Sequence, residues 1–322
     1  MSCNYADGLS KYENKGVLGT PEKYDSEEVT TSKCCELAKL LETAKHVVVH
    51  TGAGISTNAG IPDFRGPNGV WTLEKKGIKP KMDLSFDSAL PTKTHLALKA
   101  FVEKGYVHYI VSQNIDGLHL KSGLSRDFLS ELHGNVFIDQ CDKCRRQFVR
   151  KTSTPTVGQK RNGGICNFGQ ESRPCRGGFL IDNVLDWEHD LPDRDLDMAF
   201  MHSTLADVNI VLGSTLQINP SGKLPLRNKK YNGKLVICNL QPTKHDNKAD
   251  LRIYANVDDV LVKVAKLLGV QIPEYDSSKD PTKTSSSSSI EWTLPSASVK
   301  NLEKGYEKAI KKAAGKGKLD FS

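Results

Sequence analysis

A short run rich in β-branched residues, HVVVH at residues 46–50, is followed directly by Thr51 and a glycine-rich turn at residues 52–56. Such a run predicts a buried strand, and glycines after a strand allow the backbone to approach a phosphate group closely. The third glycine of the dinucleotide fingerprint G-x-G-x-x-G is missing, because Thr57 occupies its position. Residues 52–56 therefore fit either a nucleotide-binding turn or a plain tight turn.

Apolar runs typical of buried strands alternate with helical stretches along much of the chain. Further strands are expected at residues 106–112, 208–212 and 234–239, and helices at residues 28–45, 92–103 and 258–268. This order predicts an α/β fold, with a Rossmann-like parallel sheet that carries helices on both faces.

The segment 134–192 interrupts this alternation and is interpreted as a small inserted module. After residue 273 the composition becomes Ser- and Lys-rich, which predicts a flexible tail whose end is either a frayed basic helix or disordered. The expected division is an N-terminal extension (1–27), a Rossmann-like domain (28–133 and 193–273), the inserted module (134–192) and the tail (274–322).

Composition excludes several protein classes. Hydrophobic residues make up 38% of the 322 residues, which is enough for a large core. No window approaches the roughly 18 uninterrupted apolar residues of a membrane span, so an integral membrane protein is not expected. Residues 1–16 lack the apolar core of a secretory signal, so we expect no export. In a reducing compartment, the eight cysteines favour metal ligation or catalysis over disulfides.

Four cysteines have the spacing of metal ligands. Cys141 and Cys144 form a CxxC knuckle, which presents two thiolates from one turn, and Cys166 and Cys175 follow. Eight residues separate the second pair, which departs from the spacing of a generic zinc ribbon, and buried unliganded cysteines are the alternative. If zinc binds, it is expected to be structural, because four thiolates leave no open position for water.

Positive charge is concentrated around these cysteines. The chain has a net charge of +7, and the segment 141–180 alone has nine basic and two acidic residues. Such a patch suits a polyanionic partner such as chromatin, but it also fits a solvated surface around a small module.

Three separated motifs precede the cysteines: TGAGISTNAGIPDFRG at residues 51–66, SQNIDGLH at 112–119 and ELHG at 131–134. Over about residues 29–270 the chain resembles the sirtuins, the NAD-dependent protein-lysine deacylases. The segments NYADGLS at residues 4–10 and GPNGVW at residues 66–71 are most similar to the nuclear sirtuin-six (class IV) group.

This resemblance implies a set of cofactors and partners. NAD would be bound by the Rossmann-like domain, and one structural Zn²⁺ by the four cysteines. Acylated histone tails and other acyl-lysine proteins would be the substrates. The resemblance also implies a chromatin-associated protein of the nucleus, which would contact nucleosomal DNA through its basic patches.

The resemblance also assigns roles to residues. His133 would be the general base, whereas a histidine outside such a motif is more often structural. Asn114 and Asp116 would form the nicotinamide pocket, although both residue types also form turns at strand ends. These three are the expected catalytic residues. The expected cofactor contacts are Gly52, Ala53, Gly54, Thr57, Asp63, Phe64, Arg65, Trp71, Gln113, Asn114, Asp116, His133, Gly213, Ser214, Thr215, Asn239, Gln241 and Val257.

Two of these assignments stay open. The family more usually has Gly-Thr-Ser where this chain has Gly213-Ser214-Thr215, so either hydroxyl could contact the cofactor. Val257 could line the adenine site or be plain core.

The implied reaction transfers the acyl group of lysine to ADP-ribose and releases nicotinamide and free lysine. Removal of long-chain acyl groups and mono-ADP-ribosylation of proteins are further activities of the sirtuin-six group. An NAD-sensing chromatin adaptor with weak catalysis is the alternative from another class. A nicotinamide oxidoreductase is disfavoured by the missing third glycine.

Overall fold

A computed structural model describes residues 9–314, apart from residues 11, 81–83, 167–174, 176 and 285–289. Several features of the sequence lie outside these residues: most of the NYADGLS segment, Glu171, Arg173 and Arg176 of the basic segment, and the serine run at 285–289.

The described residues form ten strands and seven α-helices, with six 3-10 helices between them. The strands are β1 (Val47–Thr51), β2 (Tyr109–Ser112), β3 (Leu129–Glu131), β4 (Ile138–Cys141), β5 (Gln147–Val149), β6 (Arg161–Ile165), β7 (Phe179–Asp182), β8 (Val208–Leu212), β9 (Lys234–Cys238) and β10 (Leu251–Ile253). The helices are α1 (Glu27–Thr43), α2 (Val70–Lys75), α3 (Lys93–Glu103), α4 (Leu118–Lys121), α5 (Asp193–Leu205), α6 (Val257–Leu267) and α7 (Ser296–Ala314).

Six of the strands form a parallel sheet in the order β10-β9-β8-β1-β2-β3. The chain starts in the middle of this sheet, extends to β3 on one side and then returns to β8 on the other side of β1. The strand order therefore reverses between β1 and β8, and ligands bind at the carboxyl ends of strands at such a point.

Both faces of this sheet are covered, because neighbouring residues of β1 point into different apolar clusters. Val47 and Val49 pack in the cluster formed with α1, α3 and α6, whereas Val48 packs with residues of α5 and α7. Every residue of β1 and β8 is buried, as strands composed mainly of valine, isoleucine and leucine predict. The predicted α/β class is confirmed.

The remaining strands form a smaller antiparallel sheet in the order β5-β4-β7-β6, which lies within the segment 134–192. Strand β6 has the sequence RNGGI and was not expected, since its polar residues and glycines give no apolar pattern.

The C-terminal segment differs from the expected flexible tail. Asp280, Trp292 and Leu294 are buried, and Glu291 forms an antiparallel β-bridge with Phe148 of β5. Residues 296–314 form α7, whose Val299 and Leu302 pack against the cluster of α5. The segment is ordered despite its polar composition, because its scattered apolar residues pack against the apolar clusters of the large sheet. In the described ranges, none of the helices has both the length and the apolar character that crossing a membrane requires.

Candidate active site

The loops after β1 and β8 contact each other through their backbones at the point where the strand order reverses. The Gly54 amide donates to the Gly213 carbonyl at 2.9 Å, and the Gly52 amide donates to the Leu212 carbonyl at 3.0 Å. A Cβ on Gly54 would lie 2.8 Å from the Gly213 Cα, and Gly213 itself has a φ of +63°. These glycines are therefore required by close approach and by a left-handed conformation.

A cavity of about 390 Å³ lies beside the contact between these two loops. Most of the residues expected to contact a cofactor line it: Gly52, Ala53, Gly54, Asp63, Phe64, Arg65, Trp71, Gln113, Asn114, Asp116, His133, Gly213, Ser214, Thr215, Asn239 and Gln241. The other two lie elsewhere in the described structure. Thr57 is exposed and its hydroxyl donates to the Gly54 carbonyl, while Val257 is buried in the core at the start of α6.

His133 follows β3 and lines the cavity with a defined tautomer. Its Nδ1 lies 2.9 Å from the Gln113 carbonyl oxygen, which can only accept, so Nδ1 carries the proton. In the neutral ring Nε2 is then unprotonated and able to accept a proton. Burial lowers the pKa of His133, and the hydrogen bond to Gln113 opposes this shift. The ring is therefore neutral at pH 7, as a general base must be.

Asn114 and Asp116 are joined by Ser56, a fully buried residue of the first glycine loop. The Ser56 hydroxyl donates to Asp116 at 2.7 Å, and the Asn114 amide lies 3.3 Å from the Ser56 oxygen and 3.1 Å from the Gly52 carbonyl. Burial raises the pKa of Asp116, while hydrogen bonds from Leu118 and Ser56 lower it. This network connects the end of β2 to the loop after β1. The role of Ser56 was missed, although it belongs to the first motif.

Gln113 connects a second pair of hydroxyls. Its side-chain nitrogen Nε2 lies 3.3 Å from the Ser214 oxygen, and its side-chain oxygen Oε1 accepts from the Ser221 hydroxyl at 3.1 Å. Thr215 instead lies 3.3 Å from the amide of Gln217. Both Ser214 and Thr215 line the cavity, so the exchanged order leaves hydroxyls at both positions.

Aromatic rings form one wall. Phe64 and Trp71 lie 4.8 Å apart between ring centroids, Trp71 and Trp187 lie 5.4 Å apart, and Tyr12 stacks on Trp187 at 4.3 Å. Tyr12 and Trp187 were missed, because they are distant in sequence and belong to none of the three motifs. The rest of the apolar lining is Ile61, Pro62, Val70, Phe86, Ile115, Leu185, Leu191, Ile218 and Pro220.

Arg65 is held at this wall. Its guanidinium lies 4.6 Å from the centre of the Trp71 ring, and its Nε donates to the Lys15 carbonyl at 2.8 Å. Burial lowers the pKa of Arg65 to about 10, so it stays charged at pH 7. Asp63 accepts the Gly66 amide at 2.9 Å and so fixes the turn that leads into α2.

The four predicted metal ligands lie together in the smaller sheet. The ligand atoms of Cys141, Cys144, Cys166 and Cys175 are all within 4.8 Å of one another. The sulfurs of Cys141 and Cys175 are 3.5 Å apart and those of Cys144 and Cys166 are 3.8 Å apart. Thiolates about 2.3 Å from one tetrahedral Zn²⁺ would be separated by about 3.8 Å, so the cluster fits zinc.

Comparison with known proteins agrees with this geometry. Residues 78–220 match the model of the Sir2 family. The chain is 63% identical to a Drosophila melanogaster protein named NAD-dependent protein deacetylase Sirt6, over 96% of this chain and 98% of that protein. It is 43% identical to the Arabidopsis thaliana NAD-dependent protein deacetylase SRT1, over 94% of this chain and 64% of that protein.

Solved structures are similar as well. A Sir2 structure with a p53 peptide and NAD⁺ aligns with a TM-score of 0.54 and 30% identity, over 73% of this chain and 98% of that one. A structure of Sir2Tm bound to a propionylated peptide aligns with a TM-score of 0.56 and 29% identity, over 74% of this chain and all of that one.

Proposed function

Because this chain belongs to the Sir2 family, we propose that it is an NAD-dependent protein-lysine deacylase that releases nicotinamide, free lysine and O-acyl-ADP-ribose. The observation that carries this proposal is the state of His133. A neutral imidazole faces a cavity lined by the residues of all three family motifs, and its unprotonated Nε2 can take a proton from a hydroxyl there.

The cavity suits NAD along its length. Gly52, Gly54 and Gly213 line the cavity without a side chain that would block a pyrophosphate, and Arg65 adds a positive charge. When bound, NAD supplies the ribose carbon whose bond to nicotinamide breaks and the hydroxyl that finally holds the acyl group.

The chain's own groups position and shield this chemistry. Ser56, Asn114 and Asp116 form a buried polar network that can hold an amide by donor and acceptor contacts, an orienting role. The rings of Phe64, Trp71 and Trp187 cover one side and exclude water, which strengthens the polar contacts inside. The apolar lining gives an acyl group a place to bind.

The proposal is tested by mass spectrometry of the products. The protein is incubated with NAD⁺ and an acetyl- or myristoyl-lysine peptide. Equal amounts of nicotinamide, free lysine peptide and O-acyl-ADP-ribose are expected. His133→Ala should lower the rate by about 10²–10⁴-fold, as loss of a general base typically does. NAD-dependent transfer of ADP-ribose to protein without loss of the acyl group, or no nicotinamide release at all, would contradict the proposal.

For the substrates and location, we propose acylated histone tails and other acyl-lysine proteins in the nucleus. The net charge of +7 supports binding to a polyanionic partner. The charge of the small sheet is partly neutralised, because Arg150 pairs with Asp139 at 2.7 Å and Arg146 with Glu291 at 3.9 Å. Arg145, Lys151 and Lys160 are exposed and form no ion pair with other described residues.

We propose that Arg145, Lys151 and Lys160 contact nucleosomal DNA. Replacing all three by Gln should reduce the slope of log affinity for nucleosomes against log salt concentration by up to about three, because each lost phosphate contact releases about one counterion fewer. The matched control is Lys104→Gln, Lys230→Gln and Lys248→Gln, which removes the same charge from the larger domain. Equal salt slopes for the two triple variants would mean that the charges near the zinc site are merely solvated.

A further inference from the structure

The C-terminal segment contributes a buried tryptophan to the support of the His133 turn. Trp292 follows the residues outside the described structure at 285–289, and only 5% of its surface is exposed. Its backbone amide donates to the Gln147 carbonyl at 2.8 Å, and its carbonyl accepts from Arg126 Nε at 3.1 Å. The segment is therefore anchored to the edge of the small sheet and to the large domain together.

The Trp292 indole reaches the residue two positions before His133. Its Nε1 donates to one carboxylate oxygen of Glu131 at 2.8 Å. The other carboxylate oxygen accepts from the Asn135 amide at 2.6 Å. Glu131 and Asn135 flank His133, so this second hydrogen bond closes the turn across it. We name Glu131, Asn135 and Trp292 the turn clamp.

A buried ion pair between Arg126 and Asp195 also contacts the backbone of Glu131. Arg126 Nη2 lies 2.8 and 2.9 Å from the two carboxylate oxygens of Asp195, and the same carboxylate accepts the Glu131 amide at 2.7 Å. Glu131 is itself 5% exposed, and burial raises the pKa of its carboxyl group. A carboxylate at this depth needs its donors, because leaving a buried charge without a hydrogen bond is costly.

We propose that Trp292 is a positioning residue for the deacylase reaction: by donating to Glu131 it orients the carboxylate that closes the His133 turn. This inference rests on the proposed function, in which His133 is the base. Without the indole donor the carboxylate can rotate toward other donors, the bond to Asn135 weakens, and the His133 ring loses its fixed alignment. Misalignment lowers the rate of proton transfer more than it lowers binding.

The test compares Trp292→Phe with Leu294→Val. Trp292→Phe keeps an aromatic ring but removes the donor. Leu294→Val trims a buried side chain of the same segment, 2% exposed, that belongs to the apolar cluster of Val48 and makes no hydrogen bond to the clamp. With saturating NAD⁺ and acyl peptide, Trp292→Phe should lower kcat about tenfold with KM changed less than twofold. Leu294→Val should leave kcat within twofold, even where it lowers Tm.

A second measurement needs no catalysis. Hydrogen exchange of a peptide covering residues 129–137 should be about tenfold faster in Trp292→Phe and unchanged in Leu294→Val, while a peptide covering β8 should be unchanged in both. The Glu131→Gln side chain cannot accept from both donors. The double variant with Trp292→Phe should therefore lose less kcat, as a free energy, than the sum of the losses in the two single variants.

These measurements separate the two proposals. If the unaltered protein shows no deacylation, the proposed function fails, and hydrogen exchange alone then tests whether Trp292 stabilises the His133 turn. Unchanged exchange at residues 129–137 in Trp292→Phe, or equal effects of the two substitutions on exchange and kcat, would overturn the clamp.

Discussion

In the proposed mechanism His133 is the base, so its pKa is expected to set the lower pH limit of activity. Burial lowers this pKa below the ordinary 6.5 of histidine, and only the neutral ring can act as a base. The midpoint of the acid limb of kcat/KM against pH is therefore expected below pH 6.5. Steady-state assays at constant ionic strength give this profile. A limb centred above pH 7 would mean that another group is the base.

Ser56 is expected to matter as much as the residues it joins. Ser56→Ala leaves Asp116 with one donor fewer and Asn114 with one acceptor fewer, in a site that water reaches poorly. We expect kcat/KM for NAD⁺ to fall about tenfold, the effect of losing one hydrogen bond to a charged group. Ser203→Ala is the matched control, because this buried hydroxyl donates only to the Ala199 carbonyl of its own helix. Equal kcat/KM in the two variants would show that the Ser56 bridge is dispensable.

At the residue scale, the sequence predicted groups that lie within contiguous motifs and missed those that do not. His133, Asn114 and Asp116 follow strand ends, where a parallel sheet brings polar residues to one edge. Trp187 and Tyr12 come from segments more than 170 residues apart and meet only by tertiary packing. Thr57 belongs to a motif, but the 3-10 turn at Thr57–Ala59 directs it away from the cavity wall.

The small sheet is the element whose stability depends most on a bound ion. In the knuckle, the Cys144 amide lies 3.4 Å from the Cys141 sulfur, and Arg145 takes a positive φ of 61° to close the turn. Among the described residues, the apolar cluster here is small and buries Cys141, Phe148 and Cys166. Four clustered thiolates need a metal to offset their charge, so we expect zinc binding and folding of this sheet to be coupled.

Zinc removal is expected to unfold this element first. The purified protein should contain about one zinc per chain, and a strong chelator should lower Tm by about 10 °C, restored by added zinc. Cys175→Ser should reproduce the loss, whereas Cys35→Ser, at a half-buried cysteine of α1, should keep both metal and Tm. Retention of zinc and of Tm by Cys175→Ser would show that the ligand set differs.

Elements with strong local patterns were predictable and the others were not. β8 begins and ends at its predicted residues, and α3 differs from its prediction by one residue. A mostly aliphatic run defines the strand, and the capping Thr92 defines the start of the helix. β6 is held by pairing with β7 rather than by its own composition. Edge strands of this kind take their structure from a neighbour, so a single sequence gives little sign of them.

At the scale of the whole molecule, described residues from both the N-terminal and the C-terminal segments lie close to the candidate site. Tyr12 and Lys15 contact the aromatic wall, and Gly19 donates to the Arg65 carbonyl at 3.0 Å. In the C-terminal segment, Trp292 donates to Glu131 beside the His133 turn. The composition of these segments predicted an extension and a tail, because local composition does not report the distant partners that order them.

The whole molecule is also expected to lose stability in mild acid, because many of its histidines are buried and neutral. Burial lowers the pKa of His46, His50 and His119 to about 4 and that of His202 to about 3. An unfolded histidine titrates near pH 6.5, so below that pH the unfolded chain binds more protons than the folded one. The stabilising contribution of these groups is complete above pH 6.5 and is lost as the pH falls toward 4, by up to about 1.4 kcal/mol per histidine and pH unit.

One variant isolates this effect from the carboxylates. His202 stacks on Tyr109 at 3.9 Å and lies 2.9 Å from the His46 ring, so His202→Phe keeps the stacking and removes one titrating group. Urea unfolding at pH 7.5, 6.5 and 5.5 should show a shallower fall of stability in the variant, by about 1 kcal/mol between pH 6.5 and 5.5. Buried carboxyl groups with raised pKa values, such as Glu131, oppose the fall in both proteins equally, so they cancel in the difference. Parallel pH profiles would mean that the unfolded chain and the folded protein protonate His202 alike.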